Sequence, residues 1–110
     1  MVKDGQIDWQ KIKKITRIAV HFLDNVIDVN KYPLKEIEEI TKANRKIGLG
    51  VMGFADMLFK LKIPYDSKEA ISTGENIISF IAKEARKKSM ELGKERGSFK
   101  NFKNSIWFKK

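Results

Sequence analysis

With 110 residues and a net charge of +9, the chain is long enough for a single domain with a modest core. Its apolar content of 42% and charged content of 34% are typical of a globular protein, and no apolar run approaches the ~20 residues that span a bilayer. The absence of cysteine excludes disulfides, a thiolate nucleophile and a Cys-ligated metal. Because no apolar signal segment follows Met1, we expect a cytoplasmic protein without a membrane partner.

The first half of the chain predicts two helices. Asp8 is a good N-cap for a helix that begins at Trp9 and runs to about Asn30. The apolar positions of this helix recur at helical spacing: Ile12, Ile15, Ala19, Phe22, Leu23, Val26 and Ile27. Pro33 is expected in the first turn of a short second helix. The apolar stripe of that second helix is Leu34, Ile37, Ile40 and Ala43.

The segment 47–51 predicts a short buried strand. Gly48 and Gly50 alternate with aliphatic residues, and two glycines cost a helix roughly 2 kcal/mol relative to alanine. A lone strand that is apolar on both faces cannot satisfy its own backbone groups and needs a neighbouring strand on each side. Either 47–51 is helical after all, or the chain is part of a larger α/β body.

The second half predicts two further helices and a tail. Gly53 opens a helix that ends before Pro64, and Asp66 with Glu69 has the spacing of a capping box. The fourth helix then runs almost to Gly97, which suits the left-handed residue past a helix end. The expected architecture is thus about four helices and one strand, with residues 1–110 forming a single segment without an internal boundary.

Positive charge is concentrated in the last quarter, where residues 83–110 carry ten Lys or Arg against three Glu. Such a field attracts nucleic acid or an acidic partner, but a solvated lysine-rich helix face is the simpler interpretation. The tail from Ser98 to Lys110 adds four large apolar residues, which favour packing under a neighbouring element over base stacking: Phe99, Phe102, Trp107 and Phe108.

For three motifs, a structural role is favoured over a catalytic or binding role. The spacing Gly48, Gly50, Gly53 matches G-x-G-x-x-G, but no hydrophobic strand precedes it, so tight helix–strand packing is favoured over nucleotide binding. His21, the only histidine, lies on the same side as Asp24 and Asp28, which indicates a surface ion pair. Asp56 falls in the first turn of its helix, where the helix dipole favours a carboxylate.

Four stretches taken together resemble a known family. The first two are Phe22-Leu23-Asp24-Asn25-Val26-Ile27-Asp28, leading into Asn30-Lys31-Tyr32-Pro33-Leu34, and Ala43-Asn44-Arg45-Lys46-Ile47-Gly48-Leu49-Gly50-Val51-Met52-Gly53-Phe54-Ala55-Asp56. The others are Ile63-Pro64-Tyr65-Asp66-Ser67 and Glu95-Arg96-Gly97, followed by Phe99, Phe102 and Ser105-Ile106-Trp107. In this order they resemble the large subunit of ribonucleotide reductase, and within it the adenosylcobalamin-dependent class II branch.

The resemblance implies a segment of a ten-stranded α/β barrel that follows the finger loop and its nearby redox cysteine and precedes the phosphate-binding strand. It implies no catalytic, cofactor-binding or metal-binding residue in this chain. Adenosylcobalamin and ribonucleoside-diphosphate reduction, a step of deoxyribonucleotide synthesis, would belong to the full-length parent. The expected partner is the remainder of the barrel, and self-association through exposed apolar surface is expected of the free chain. The alternative is a free-standing basic helical protein that binds nucleic acid or an acidic partner.

Two residues depart from the family pattern in places that bear on structure. His21 stands where the resemblance leads us to expect arginine, and Lys62 where it leads us to expect glycine.

Overall fold

The computed structural model describes residues 1–108, which form a small hairpin, four α-helices and one turn of 3-10 helix. The strands are β1 (Val2–Lys3) and β2 (Gln6–Ile7). The helices are α1 (Trp9–Val29), α2 (Lys35–Asn44), α3 (Phe54–Leu61) and α4 (Lys68–Arg96), and the 3-10 turn is Phe102–Asn104. The predicted set of four helices is confirmed.

The N-terminal hairpin was not predicted. Asp4 and Gly5 form its turn with positive φ values of 49° and 74°, and Val2 pairs with Ile7 in antiparallel register. Asp-Gly is a favoured pair in two-residue hairpin turns because both central residues need positive φ. The hairpin leads directly into α1, whose Asp8 cap accepts from the backbone N–H of Lys11 at 2.9 Å, as predicted.

Two predicted helix starts lie at the wrong residue. α2 begins at Lys35 with Leu34 as its cap, because Leu34 adopts an extended backbone with φ −131° and ψ 144°, so Pro33 lies outside the first turn. The cap of α4 is Ser67 rather than Asp66, since the Ser67 hydroxyl accepts from the N–H of Ala70 at 3.1 Å. At the other end of α4, Gly97 has a positive φ of 89°, but its ψ of 160° lies outside the left-handed helical region, so the predicted left-handed conformation is wrong.

The predicted strand at 47–51 is wrong for this chain. Residues 45–53 form neither strand nor helix. Among the backbone hydrogen bonds within residues 1–108, none involves residues 46–52. A strand needs neighbouring strands for its backbone groups, and neither β1 nor β2 is hydrogen-bonded to this segment. The segment instead exposes its apolar side chains, with Met52 94% exposed.

α1 and α4 pack side by side and run parallel. Trp9 near the start of α1 contacts Phe80, with ring centroids 4.9 Å apart, and Asp24 near the end of α1 pairs with Arg96 at the end of α4. The main core lies toward the start of the pair, where α3 and the hairpin cover it. Its buried members are Ile12, Met57, Ile77 and Ile81. Gly74 allows the ring of Phe54 to approach α4, since a Cβ there would lie 3.2 Å from that ring.

The helix pair also carries apolar side chains that the described residues leave largely exposed. α1 has a second apolar stripe about 120° around the helix from its buried one. Both helices run the same way, so a helical wheel places the exposed isoleucines of α4 on the same side of the pair as this stripe. We call this surface the apolar face, and its members are Ile15, Ile18, Phe22, Val26, Val29, Ile71 and Ile78. The apolar stripe of α2 is likewise mostly exposed at Leu34, Ile37 and Ile40.

Candidate functional site

An ionic cluster near the C-terminal ends of α1, α2 and α4 is the densest polar constellation among residues 1–108. Arg45 caps α2 in a left-handed conformation with φ 45°. Its guanidinium donates to Oδ1 of Asp24 at 2.9 Å and to both carboxylate oxygens of Asp28 at 2.7 and 2.9 Å. A fourth bond reaches the backbone carbonyl of Asp24 at 2.9 Å. Arg45 therefore clamps the end of α2 onto α1.

Arg96, the last residue of α4, enters the same cluster from the other side. Its Nη1 donates to Oδ2 of Asp24 and to Oδ1 of Asn25, both at 2.8 Å. Its Nη2 lies 2.8 Å from Nε2 of His21, a contact that requires a ring nitrogen without a proton because guanidinium only donates. Asp24 thus joins two arginines, and its side chain is only 16% exposed.

The electrostatics of the cluster favour a structural role over a role in proton transfer. The hydrogen bonds from Arg45 hold the pKa of Asp28 below its ordinary value. The carboxylates of Asp28 and Asp24 in turn raise the pKa of Arg45 above its ordinary value. Neither Asp28 nor Arg45 can then exchange a proton near neutral pH, as a general acid or base must. Both arginines lie at helix C-termini, where the helix dipole favours cations.

A second ionic group lies halfway along the contact between α1 and α4. Arg17 of α1 donates to Glu91 and lies 4.0 Å from Oε2 of Glu84. Glu84 is 4% exposed, and its other oxygen accepts from Lys87 at 3.2 Å. The hydrogen bond from Arg17 lowers the pKa of Glu91. These pairs hold the two helices in register, while Oε2 of Glu84 is buried without a hydrogen-bond partner among the described residues.

The structure corrects the predicted ion pair of His21 with Asp24 and Asp28. The partners of all three side chains are the arginines Arg45 and Arg96, which sequence reasoning missed. A signal was present, since aspartates four residues apart on a helix repel each other and need cations nearby. Arg45 comes from the central resembling stretch and Arg96 from the Glu95-Arg96-Gly97 stretch, so three resembling stretches meet in one cluster.

The other motifs fall at separate places. Gly53 has a positive φ of 72° and caps α3, which explains its identity. A Cβ at Gly48 or Gly50 would meet nothing within 4 Å, so the predicted tight packing at these glycines is wrong for this chain. Asp56 lies in the first turn of α3, as predicted.

The tail packs partly onto the end of α2, where the N–H of Asn101 donates to the carbonyl of Ala43 at 3.1 Å. The rings of Phe99, Phe102 and Phe108 stack edge to face in a chain, with centroids 5.5 and 5.8 Å apart. Residues 109–110 lie outside the described part of the chain.

Within residues 1–108, no group of three His, Asp or Glu side chains is placed to hold a metal ion. No helix in the same range is long and apolar enough to cross a membrane. A cavity of about 520 Å³ beside α3 has Lys62 as its one charged lining residue among those described, and the rest of its wall is Ala55, Leu58, Phe59, Ile63, Pro64 and Tyr65.

Comparison with known proteins identifies the family. The model of the ribonucleotide reductase barrel domain matches residues 1–110. The vitamin B12-dependent ribonucleoside-diphosphate reductase of Thermoplasma acidophilum is 50% identical over 109 residues, which are 98% of this chain and 14% of that protein. The Mycobacterium tuberculosis protein of the same name is 46% identical over 96% of this chain and 15% of its own length.

A third relative is the ribonucleoside-diphosphate reductase subunit alpha of Chlamydia trachomatis, 47% identical over 97% of this chain and 10% of its own length. The chain therefore spans between 10% and 15% of the length of these three relatives. Both the family model and the relatives match almost every residue, including the three stretches that meet in the ionic cluster. The chain belongs to the ribonucleotide reductase family, within its barrel domain.

Proposed function

We propose that this chain supplies scaffold helices and one strand to a ribonucleotide reductase barrel, and that residues 1–110 act there as one segment. Reduction of ribonucleoside diphosphates to deoxyribonucleotides would then be carried out by residues elsewhere in that protein. The proposal rests on surface that lacks a partner. The apolar face is exposed, and the backbone of 46–52 forms no hydrogen bond with the backbone of the other described residues. Buried apolar side chains each contribute roughly 1.5–3 kcal/mol, so such a surface favours a covering partner.

Residues 47–51 would become the strand in the assembled barrel. The segment leaves the ionic cluster at Arg45, and Val51, Met52 and Gly53 line a cavity together with Ile12. The segment therefore runs antiparallel to α1 and α4. In a parallel sheet, a strand has this direction relative to the crossover helices that pack on it. Open space at Gly48 and Gly50 allows neighbouring strands to approach closely.

The chemistry of the reaction would not reside in this chain. The family's radical transfer and disulfide formation use cysteines, and this sequence has none. Cobalamin, which two of the relatives require by name, does not fit the residues present: the 520 Å³ cavity is walled by apolar groups with one lysine, whereas a corrinoid carries amides and a phosphate. The ionic cluster has a positioning role instead, because it fixes the C-terminal ends of α1, α2 and α4.

The partner of the apolar face would be the remainder of the barrel. When that partner is missing, a second copy of the chain would cover the same face, and we expect concentration-dependent self-association in sedimentation experiments. A monomer at every concentration, with no binding of a hydrophobic dye, would show that the chain is complete without a partner.

Complementation tests the proposal. A Thermoplasma acidophilum reductase lacking its matching segment would be mixed with this chain and assayed for nucleotide reduction with adenosylcobalamin and a dithiol. We expect activity from the mixture and none above background from either component alone. A chain with Ile18→Asp on the apolar face should fail to complement, whereas Lys13→Asp on the opposite side of α1 should succeed. Equal success of both variants, or reduction by this chain alone, would contradict the proposal.

A further inference from the structure

The outer side of α4 carries a run of positive charge. Lys83, Arg86, Lys87 and Lys94 are exposed and fall within about 100° of the helix circumference. We call these four residues the basic face. The acids Glu84 and Glu91 of α4 turn toward Arg17 of α1, and Glu84 also pairs with Lys87 at 3.2 Å. Within residues 1–108, Lys83, Arg86 and Lys94 form no ion pair with an acid, so their charge is uncompensated.

Two large apolar side chains lie within or beside the basic face. Met90 is four residues after Arg86 on the same side of α4 and is 59% exposed. Trp107 from the tail lies under Arg86, with the guanidinium carbon 4.8 Å from the ring centroid, and is 46% exposed. Methionine, tryptophan and arginine are enriched at protein interfaces, and clusters of basic side chains recognise acidic segments.

The aromatic rings of the tail argue against single-stranded nucleic acid as the ligand. Base stacking needs accessible ring faces in a row. Phe99, Phe102 and Phe108 instead pack edge to face with one another, and one side of Trp107 faces Arg86. Phosphates would still meet the lysines, but the contacts that retain a nucleic acid at physiological salt would be few.

The basic face remains open whether or not the apolar face is covered. On the helical wheel the two lie about 120° apart on α4 and on opposite sides of the plane that contains α1 and α4. A partner on the apolar face therefore leaves Lys83, Met90 and Lys94 accessible.

We infer that the basic face binds an acidic peptide segment that carries a large apolar side chain. Its carboxylates pair with Lys83, Arg86 and Lys94, and its apolar side chain packs on Met90 and the exposed part of Trp107. The inference does not depend on the scaffold role, because it uses side chains outside the apolar face.

Fluorescence anisotropy with this chain tests the inference. The probe is a labelled peptide of about 12 residues, mostly glutamate with two leucines four residues apart, at about 0.15 M salt. We expect saturable binding with a dissociation constant on the order of 10 µM. Lys83→Glu with Lys94→Glu should weaken it at least about tenfold, since two attractive pairs become repulsive. The matched control, Lys11→Glu with Lys14→Glu, makes the same charge change on α1 and should change affinity less than about twofold.

A second pair of substitutions tests the apolar part of the basic face. Met90→Ser should weaken binding by about fivefold, whereas Ile71→Ser, which removes a comparably exposed side chain on the apolar face, should not. A peptide with serines in place of the leucines should lose affinity to the same extent as Met90→Ser. Binding that is unsaturated at millimolar peptide, or equal loss in both lysine pairs, would overturn the inference. Tighter binding of oligo-dT of equal charge would also overturn it, in favour of nucleic acid.

Discussion

The two apolar stripes of α1 have similar composition and different surroundings. Ile12 and Val20 are 1% and 2% exposed because α4 and α3 cover them, whereas Ile18 and Phe22, on the other stripe, are 54% and 63% exposed. The same contrast appears on α4 between Ile77 and Ile78, which are 4% and 50% exposed. Periodicity identifies side chains that favour burial, but burial depends on which neighbours are present. Part of the apolar surface of this helix pair is covered by its own chain, and part is exposed.

The largest expected effect is a difference in stability between substitutions on the two apolar stripes of α1. Ile12→Ala should lower the free energy of unfolding by about 3 kcal/mol, because it leaves a cavity in a closely packed core. Ile18→Ala, six residues along the same helix, should change it by less than about 0.5 kcal/mol. Urea unfolding followed by circular dichroism measures both. Comparable losses in the two variants would mean that the second stripe is also covered in the free chain.

The ionic cluster gives the next largest effect. Asp24→Ala should cost about 2 kcal/mol, since it leaves Arg45 and Arg96 without their shared carboxylate in a mostly covered place. Asp66→Ala is the matched control, because Asp66 is exposed and does not cap α4, and it should be nearly neutral. Urea unfolding measures both variants. A neutral Asp24→Ala would show that the cluster does not hold the helix ends together.

A smaller effect is expected at the end of α3, with the opposite sign. Lys62 adopts a left-handed conformation with φ 59° and ψ 34°, which glycine adopts without strain. Lys62→Gly should therefore stabilise the chain by about 0.5 kcal/mol and raise Tm by a few degrees. Lys60→Gly, inside the same helix, should instead destabilise it by about 1 kcal/mol. Destabilisation by both would argue that Lys62 makes contacts that outweigh its backbone strain.

The smallest effect on stability is expected from protonation of Asp28 at acid pH, because its side chain is 52% exposed and water screens its charge. The pKa of Asp28 in the folded chain lies below its ordinary value of 3.8. Its contribution to stability is complete above that ordinary pKa and is lost as pH falls through the lower folded-state pKa, since the unfolded chain then binds more protons. Asp28→Asn should make the loss of stability below about pH 4 less steep. An unchanged acid profile would show that Asp28 is not paired in solution.

The sequence predicted what depends on local chemistry and missed what depends on distant partners. The Asp8 cap and the four helices follow from capping and periodicity, and the structure confirms them. The hairpin could also have been predicted, because Asp4-Gly5 is a strong local turn signal.

The ionic cluster and the state of 47–51 could not be predicted in the same way. Arg45 meets Asp28 across 17 positions, and Arg96 meets Asp24 across 72, so only the packing of α1 against α2 and α4 brings them together. The alternation of Gly48 and Gly50 with aliphatic residues fits a strand, but the pattern does not contain the neighbouring strands that such a strand requires.

Hydrogen exchange of the amides of residues 46–52 tests most directly whether the chain is an incompletely covered barrel segment. In the free chain these amides have no backbone partner among the described residues, so we expect exchange close to the rate of an unfolded peptide, while the amides of α1 near Ile12 are strongly protected. Bound to the reductase that lacks its matching segment, residues 47–51 should become protected as a strand forms. Strong protection at 47–51 in the free monomer, or no change on binding, would contradict the account.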